Sequence, residues 1–256
     1  MIHFVGAGPG APDLITLRGA ELLKRAGAVI YAGSLVNPAL LALCPADCRI
    51  YDSACMSLEE VLAAMEQAEQ AGLDTVRLHT GDPSIYGAIR EQMDALRLRN
   101  IEYDVTPGVS SFCGAAAAAE AEYTLPGVSQ SVILTRMAGR TPVPAAESIP
   151  ALAAHGSSMV VFLSAGQLPR LQAELLRGAY REDTPAALVY KATWPEERVL
   201  RCRLGDLAAV GEANGITKTA LVLVGDFLES PYERSCLYDP SFTTGFRQGE
   251  KQEKET

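Results

Sequence analysis

A turn rich in polar and conformationally special residues follows a predicted strand at residues 74–79. The sequence RLHTGDPSIYG occupies residues 77–87 and places Thr-Gly-Asp-Pro directly after that strand. Gly81 is able to adopt a positive φ and to let a ligand approach the backbone, while Pro83 disfavours helix at Asp82. A carboxylate at the carboxyl end of a strand in an α/β sheet is well placed to bind a small molecule. The alternative is an Asx-turn that caps the next helix.

A second glycine-rich turn follows the first predicted strand. The sequence GAGPGA at residues 6–11 formally matches the dinucleotide fingerprint G-x-G-x-x-G/A. A dinucleotide-binding turn enters its helix at once, whereas Pro9 and Pro12 predict a longer, stiffer loop with a helix that begins only near Thr16.

The acid that a dinucleotide site needs is missing. No Asp or Glu occurs between Glu21 and Asp47, so the second predicted strand ends without a carboxylate for the ribose hydroxyls, and no Arg stands there for a 2′-phosphate. The common methyltransferase fold also places an acid after its second strand. No acid precedes Gly6 either, because that residue is Val5. Both kinds of site are therefore disfavoured.

Strand and helix signals alternate, which predicts an α/β protein with a largely parallel sheet and a second sheet that is mixed. Ser57 and Glu60 form a capping box at the start of the clearest helix. The predicted strands are 2–5, 28–31, 74–79, 101–105, 130–135, 158–163, 186–190, 199–204 and 220–224. The predicted helices are 17–26, 57–71, 86–99, 110–121, 167–178 and 206–214, with Asp206 as an N-cap and Gly72 and Gly215 as stops.

The chain is long enough for two modest domains, because 256 residues with 48% hydrophobic content can bury a sizeable core. We predict an N-terminal α/β domain at 1–123, a linker at 124–129, a C-terminal α/β domain at 130–240 and a disordered tail at 241–256.

Composition restricts the partners. A net charge of −9 argues against nucleic acid or an anionic membrane. No apolar run approaches the roughly 20 residues needed to span a bilayer, and the N-terminus lacks a basic signal region. A cytoplasmic protein is expected. None of the six cysteines forms a CxxC pair. A metal or cluster site at Cys44, Cys48 and Cys55 is the alternative to small buried residues, which are the better interpretation.

Five blocks in the same order resemble the tetrapyrrole methylase family, over about residues 1–230. They are GAGPGAPDLITLRG (6–19), YAGSLVNPAL (31–40), HTGDPSIYGAI (79–89), TPGVSSFCGAAA (106–117) and LTRMAGRTPVP (134–144). The second and fifth blocks resemble the branch that methylates C-11 of precorrin-4, or of its cobalt form, in cobalamin synthesis.

The resemblance implies two α/β domains with S-adenosylmethionine bound in the cleft between them, a fold distinct from the common Rossmann-like methyltransferases. It also implies a homodimer and a tetrapyrrole substrate. The three histidines, His3, His79 and His155, form no spacing pattern, so no metal site is expected. Carried over by position, the cofactor contacts fall on Pro9, Thr80, Gly81, Asp82, Ile85, Ser110 and Ser111, and from the second domain on Ser164, Ala192, Thr219 and Ala220.

A polycarboxylate substrate requires cations, and a guanidinium is suited to bind carboxylates. Arg136 and Arg140 in TRMAGRTP are the candidates, with Lys191 as a third; each is alternatively an ordinary surface cation. Trp194 is either a wall of a cleft or plain packing, and His79 is interpreted as structural. The sequence assigns no catalytic base.

One departure from the family concerns residue 11, where this chain has Ala11 instead of the usual Asp, with the nearest acid at Asp13. Three alternatives stay open, and Ala11 is the reason for the last of them. They are methylation at another position of a tetrapyrrole, a dinucleotide-binding oxidoreductase, and a cofactor-binding protein without turnover.

Overall fold

Strands and α-helices alternate along residues 1–33 and 35–249, which a computed structural model describes. The strands are β1 (Ile2–Gly6), β2 (Ala28–Tyr31), β3 (Arg49–Asp52), β4 (Thr75–His79), β5 (Tyr103–Thr106), β6 (Val132–Arg136), β7 (Ser158–Phe162), β8 (Pro185–Tyr190), β9 (Arg198–Arg203) and β10 (Ala220–Val224). The helices are α1 (Leu17–Arg25), α2 (Leu58–Gln70), α3 (Ile89–Leu98), α4 (Ser111–Ala118), α5 (Ile149–Ala153), α6 (Leu168–Leu175) and α7 (Leu207–Ala213).

The first sheet is parallel and has the strand order β3-β2-β4-β1-β5. Its central strands β1 and β4 are buried along their whole length. Because successive side chains of a strand point to opposite faces, the sheet supports two apolar clusters. One joins Val5 and Leu78 to Leu23 of α1, and the other joins Phe4 to Met65 of α2. The parallel sheet confirms the sequence prediction.

The second sheet has the order β6-β7-β10-β8-β9 and is mixed, as predicted. Strand β6 pairs with β7 in parallel, whereas β10 pairs with β7 antiparallel. Its core packs residues such as Val161 and Leu188 of the sheet against Leu171 of α6 and Leu207 of α7.

The contacts divide the chain into two units. The first comprises Met1–Ala119 together with Val189–Val199, and the second comprises Glu120–Leu188 with the chain from Leu200 onward. The sequence had assigned residues 189–199 to the second domain. They group with the first because Thr193 and Trp194 are hydrogen-bonded to its glycine loop.

The predicted linker and tail carry local structure. Val128 N and Ser129 N both donate to Leu125 O, which forms a turn within the second unit. In the part of the tail that is described, Arg247 Nη2 donates to Asp239 O at 2.5 Å and Gly249 N donates to Thr243 Oγ1 at 3.0 Å. Residues 250–256 of the predicted tail lie outside the described residues.

Several element boundaries differ from the predictions for local reasons. Helix α3 begins at Ile89 and not near Ile85 or Tyr86, because Tyr86 and Ala88 have φ values of 57° and 50° in the left-handed region. Asp206 makes no side-chain capping bond to α7. The short elements β3 and α5 were not predicted.

Other predicted boundaries are confirmed. Ser57 and Glu60 form both bonds of the capping box, with Ser57 N donating to Glu60 Oε2 at 2.7 Å and Glu60 N donating to Ser57 Oγ at 3.3 Å. Gly72 and Gly215 end their helices with φ values of +69° and +65°.

A polar stripe lies on one face of the central strand β4, where Thr75, Arg77 and His79 alternate with apolar residues and are all buried. Arg77 Nε donates to Gln92 Oε1 and its Nη1 donates to Ile30 O, both at 3.2 Å. Burial lowers the pKa of Arg77 to about 10.

His79 stacks on Phe4, with ring centroids 6.0 Å apart, and its Nε2 has no hydrogen-bond partner among residues 1–33 and 35–249. Burial, followed by the nearby charge of Arg77, lowers the pKa of His79 to about 3. The imidazole is therefore neutral at physiological pH. This agrees with the structural role that the sequence suggested.

Because burial lowers the pKa of His79 from 6.5 to about 3 on folding, the unfolded chain binds more protons than the folded chain between these two pH values. The free energy of unfolding therefore decreases as the pH is lowered through this range. When the pH is lowered from about 7 to about 5, we expect the free energy of unfolding to decrease by about 2 kcal/mol less in His79→Gln than in the wild type. Urea unfolding, followed by the fluorescence of the single tryptophan, Trp194, reports on the first unit.

His155→Gln is the matched control, because His155 is exposed. An unchanged pH slope in His79→Gln would show that His79 is not held neutral.

Candidate functional site

The first unit gathers its candidate residues at the carboxyl edge of the parallel sheet. Strands β1 and β4 are neighbours, but β1 is followed along the chain by β2, on the far side of β4, and β4 is followed by β5, on the far side of β1. The connection that leaves β1 therefore crosses towards β4, and the connection that leaves β4 crosses towards β1. At the crevice of a doubly wound sheet, by contrast, the two connections lead away from each other. The first residues of both connections are brought to one place.

Four glycines, Gly6, Gly8, Gly81 and Gly108, form what we call the glycine junction. Gly8 N donates to Gly81 O at 3.3 Å, and Gly81 N donates to Gly8 O at 2.8 Å. Gly8 and Gly81 have φ values of +82° and +61°. A Cβ on Gly6 would lie 2.5 Å from Gly108 Cα and 2.6 Å from Gly81 O. These glycines are thus required for backbone to approach backbone.

Asp82 ties two loops of the junction together. Its Oδ1 accepts from Ser84 N at 2.8 Å and from Ser84 Oγ at 2.5 Å, and its Oδ2 accepts from Gly108 N at 2.8 Å. Partial desolvation opposes ionisation, but the three hydrogen bonds outweigh it, and the pKa of Asp82 lies below its ordinary value. The bond from Ser84 N is the predicted Asx-turn, although α3 begins only at Ile89.

Three hydroxyl groups beside the junction are not engaged. The side chains of Thr80, Ser110 and Ser111 make no hydrogen bond with any described residue, and Ser110 stands at the N-cap of α4 without making a capping bond. Ser110 is buried and the other two are partly buried. Pro9 is buried and Ile85 is partly buried at the same edge. The unused hydroxyls can bind a polar ligand.

The turn at residues 191–197 adds two more candidates to the first unit. Ala192 is buried, and Lys191 is partly buried with its Nζ 3.5 Å from Glu196 Oε2. The ammonium also lies 5.2 Å from the ring centroid of Trp194 and 5.8 Å from that of Tyr190. Lys191 is therefore held by a carboxylate and two aromatic rings.

In the second unit, the remaining cofactor candidates lie at one edge of the mixed sheet. Ser164 follows the end of β7, and Thr219 and Ala220 stand at the start of β10, which runs antiparallel to β7. The sequence had grouped Ala192 with these three. Ser164 is fully buried; its Oγ accepts from Met137 N at 3.0 Å and donates to Phe162 O at 2.8 Å. Its hydroxyl is thus engaged within the protein.

The two arginine candidates differ in their surroundings. Arg136 closes its own loop, because its Nη2 donates to Pro142 O at 2.8 Å and its Nη1 donates to Thr141 O at 3.2 Å. Arg140 is exposed, and its side chain forms no hydrogen bond or ion pair in the part of the chain that the structure describes. Arg140 is the freer cation of the two.

Sequence reasoning missed the special position of Leu163 and could not decide that of Trp194. Leu163 precedes Ser164, is 66% exposed and has a φ of +54°. A leucine at a strand end is normally a core residue, so no signal in the sequence marked it. The indole of Trp194 packs on Gly10, where a Cβ would overlap it. No signal in the sequence marked this contact, because the positive φ values of Lys191 and Thr193 before Trp194 are visible only in the structure.

The described residues contain no group of three or more side chains suited to hold a metal ion. Cys44 and Cys48 lie near each other, but burial raises the pKa of both thiols, that of Cys48 to about 11. None of the helices within residues 1–33 and 35–249 is long and apolar enough to cross a membrane.

Comparison with known proteins places the chain among its relatives. A cobalt-precorrin-4 C(11)-methyltransferase of Methanocaldococcus jannaschii is 47% identical, with 98% of this chain and 97% of that protein covered. A precorrin-4 C(11)-methyltransferase of Sinorhizobium sp. is also 47% identical, with 96% and 98% covered.

Solved structures of methyltransferases are also similar to this chain. A cobalt precorrin-4 methyltransferase described as a cobalamin biosynthetic enzyme has a TM-score of 0.87 and 44% identity, with 89% of this chain and 95% of that chain covered. A uroporphyrin-III C-methyltransferase from Thermus thermophilus, in complex with S-adenyl homocysteine, has a TM-score of 0.72 and 27% identity, with 89% and 93% covered. The family model for tetrapyrrole (corrin/porphyrin) methylases matches residues 1–208. The chain belongs to the tetrapyrrole (corrin/porphyrin) methylase family.

Proposed function

We propose that this protein transfers a methyl group from S-adenosylmethionine to C-11 of precorrin-4 or cobalt-precorrin-4 in cobalamin biosynthesis. The assignment of the substrate rests on two relatives that are 47% identical over nearly the whole chain and whose names state this activity. The cofactor assignment rests on the unengaged hydroxyls of three residues beside the glycine junction. Thr80 directly precedes Gly81, and a Cβ on Gly81 would lie 3.2 Å from Ser111 N and 3.4 Å from Ser110 Cα. This grouping is the observation that carries the proposal.

The proposed cofactor contacts fit S-adenosylmethionine chemically. Hydroxyl groups suit the ribose and the amino-acid end, and the buried Pro9 and Ala192 supply small apolar surface. Ile85, Thr219 and Ala220 are proposed contacts by position, and so is the backbone at Gly81. Ser164 is proposed to act through its backbone, because its hydroxyl is already used.

When bound, S-adenosylmethionine supplies a methyl group already activated on a sulfonium. The chain's contribution is then to bind both reactants and to align the accepting carbon with the methyl group. Alignment alone can contribute up to ~7–11 kcal/mol to lowering the barrier. In this proposal Asp82 acts indirectly, because its carboxylate holds the loops at Ser84 and Gly108 in place.

The geometry of the glycine loop disfavours the dinucleotide alternative. A pyrophosphate would need free backbone N–H groups in the loop. Three of them are already used: Ala7 N donates to His79 O at 2.7 Å, Gly8 N to Gly81 O at 3.3 Å and Ala11 N to Thr193 Oγ1 at 2.9 Å. The more serious rival is methylation at another position of a tetrapyrrole.

Assembly is proposed from the family resemblance, whereas location and the exclusion of nucleic acid and membrane are proposed from the sequence and its net charge of −9. We propose a cytoplasmic homodimer that binds neither nucleic acid nor membrane as part of its function. Light scattering on the purified protein measures the assembly; a monomer at working concentrations would reject the dimer.

The activity itself is tested by incubating the protein with S-adenosylmethionine and either precorrin-4 or cobalt-precorrin-4. We expect mass spectrometry to show one added methyl group and nuclear magnetic resonance to place it on C-11. A methyl group on another carbon would favour the rival. Cofactor binding without product would indicate a silent binder and would implicate Ala11.

Loss of the Asp82 loop contact should weaken cofactor binding. Asp82→Asn retains an acceptor for Ser84 but replaces the oxygen that accepts from Gly108 N with a donor. We expect S-adenosylhomocysteine affinity, measured by calorimetry, to fall by ~1.5–3 kcal/mol.

Asp239→Asn is the matched control, since Asp239 Oδ1 accepts from Ser241 N at 2.8 Å and from Ser241 Oγ at 2.7 Å in the same arrangement, within the second unit. Equal affinities of Asp82→Asn and the wild type would show that the loop contact is irrelevant to binding.

A cation that recognises a tetrapyrrole carboxylate should affect KM for the substrate and its salt dependence. We propose this role for Arg140, with Lys191 and Arg136 as further candidates. Arg140→Gln is expected to raise the KM for the tetrapyrrole and flatten its dependence on salt, because a screened attraction is lost. Calorimetric affinity for S-adenosylhomocysteine should be unchanged.

Arg177→Gln removes the same charge from another exposed arginine, whose side chain forms no hydrogen bond or ion pair with the described residues. If both variants show the same small change in KM, Arg140 contributes only general charge.

A further inference from the structure

The glycine loop is fixed by side chains that come from distant parts of the chain. Trp194 Nε1 donates to Pro9 O at 3.2 Å, and Thr193 Oγ1 accepts from Ala11 N at 2.9 Å. Asn37 Nδ2 donates to Gly10 O at 2.9 Å. Three consecutive residues of the loop thus each have a backbone group bound by a side chain. Such a loop has little freedom to change its conformation when a ligand arrives.

The fit between the indole and the loop is close. A Cβ on Gly10 would overlap the Cδ1 and Nε1 atoms of Trp194 and would lie 2.9 Å from Ala192 O. A Cβ on Gly114 would lie 2.7 Å from Pro9 Cβ and 3.3 Å from Thr193 Cγ2. Glycine at these two positions therefore lets the turn at 191–197 pack directly on the loop and on α4.

The turn itself is held in an unfavourable backbone conformation. Lys191 and Thr193 have φ values of +47° and +69°, and a left-handed residue other than glycine costs of order ~1–3 kcal/mol. Local bonds offset this cost, since Thr193 N donates to Glu197 Oε2 at 2.5 Å and Trp194 N donates to Lys191 O at 3.0 Å. The strained backbone directs the Thr193 hydroxyl and the indole towards the loop.

We propose that Trp194 and Thr193 are positioning residues for the cofactor, which act by holding the Pro9–Ala11 loop in its binding conformation. This inference rests on the proposed function, because it takes Pro9 to be a cofactor contact. The loop is set before the ligand binds, so the entropy of ordering it is not a cost of binding. Loss of either side-chain hydrogen bond should then weaken cofactor binding, although neither side chain contacts the reacting atoms.

Two single substitutions remove one bond each and retain most of the packing. Trp194→Phe keeps an aromatic ring but loses the N–H donor to Pro9 O, and Thr193→Val keeps the methyl group that faces Gly114 but loses the acceptor for Ala11 N. We expect each to weaken S-adenosylhomocysteine binding by about 3- to 30-fold, and to raise the KM for S-adenosylmethionine more than it lowers kcat. Thr193→Ser keeps the acceptor and should recover most of the affinity.

Tyr180→Phe is the matched control. Tyr180 Oη donates to Ser157 O at 2.5 Å, so this variant also loses one bond from a buried aromatic side chain to a backbone carbonyl, but within the second unit. It should lower thermal stability while leaving affinity for S-adenosylhomocysteine unchanged.

The outcomes separate this inference from the proposed function. If the wild type binds S-adenosylhomocysteine and both Trp194→Phe and Thr193→Val bind it equally well, the positioning role is wrong and the proposed function stands. Equal loss in Thr193→Val and Thr193→Ser would also contradict it, because the hydroxyl would then not matter. A wild type that fails to bind S-adenosylhomocysteine overturns the proposed function and this inference with it.

Discussion

The close approach of three backbone segments at the glycine junction is the constraint on which the rest of the site depends. In the parallel sheet, the connections from the neighbouring strands β1 and β4 start towards each other. They can do so only if no side chain separates them, because a Cβ on Gly6 would lie 2.6 Å from Gly81 O, and it would also lie 2.5 Å from Gly108 Cα, which follows β5. The paired bonds between Gly8 and Gly81 then lock the two connections together. The glycines of the two turns thus serve first to bring backbone to backbone, and a ligand can only use what surface this arrangement leaves.

What is left for a ligand follows from which polar groups the fold has already used. The carboxylate of Asp82, the hydroxyl of Ser164 and the guanidinium of Arg136 all satisfy backbone groups of nearby loops. In the part of the chain that the structure describes, the hydroxyls of Thr80 and Ser111 do not. A residue type alone cannot distinguish these cases, because a carboxylate that organises a loop and one that binds a ligand stand at the same place in the sequence.

The sequence predicted the fold well where the signals are local. Periodicity and capping residues located both sheets and the helix that begins after Ser57, and the ordered blocks identified the family. The short β3 was not predicted because its sequence, RIYD, contains no continuous apolar run. Three of its four residues are exposed. The start of α3 was placed too early, because no residue type announces that Tyr86 and Ala88 adopt left-handed conformations. Local propensity is overridden there by the turn that precedes the helix.

The interactions that the sequence could not predict are those between residues far apart along the chain. Trp194 and Pro9 are hydrogen-bonded across 185 positions, and Thr193 and Ala11 across 182. Their partners are backbone groups, which no side-chain pattern marks. This has a consequence for the first unit as a folding element, since residues 1–119 alone lack the turn at 191–197. Such a fragment would leave Ala11 N and Pro9 O without these partners and Gly10 without the indole that covers it. The glycine loop is therefore completed only when the chain has returned through β8, so that the conformation proposed to bind the cofactor is a property of the whole chain and not of its N-terminal motif.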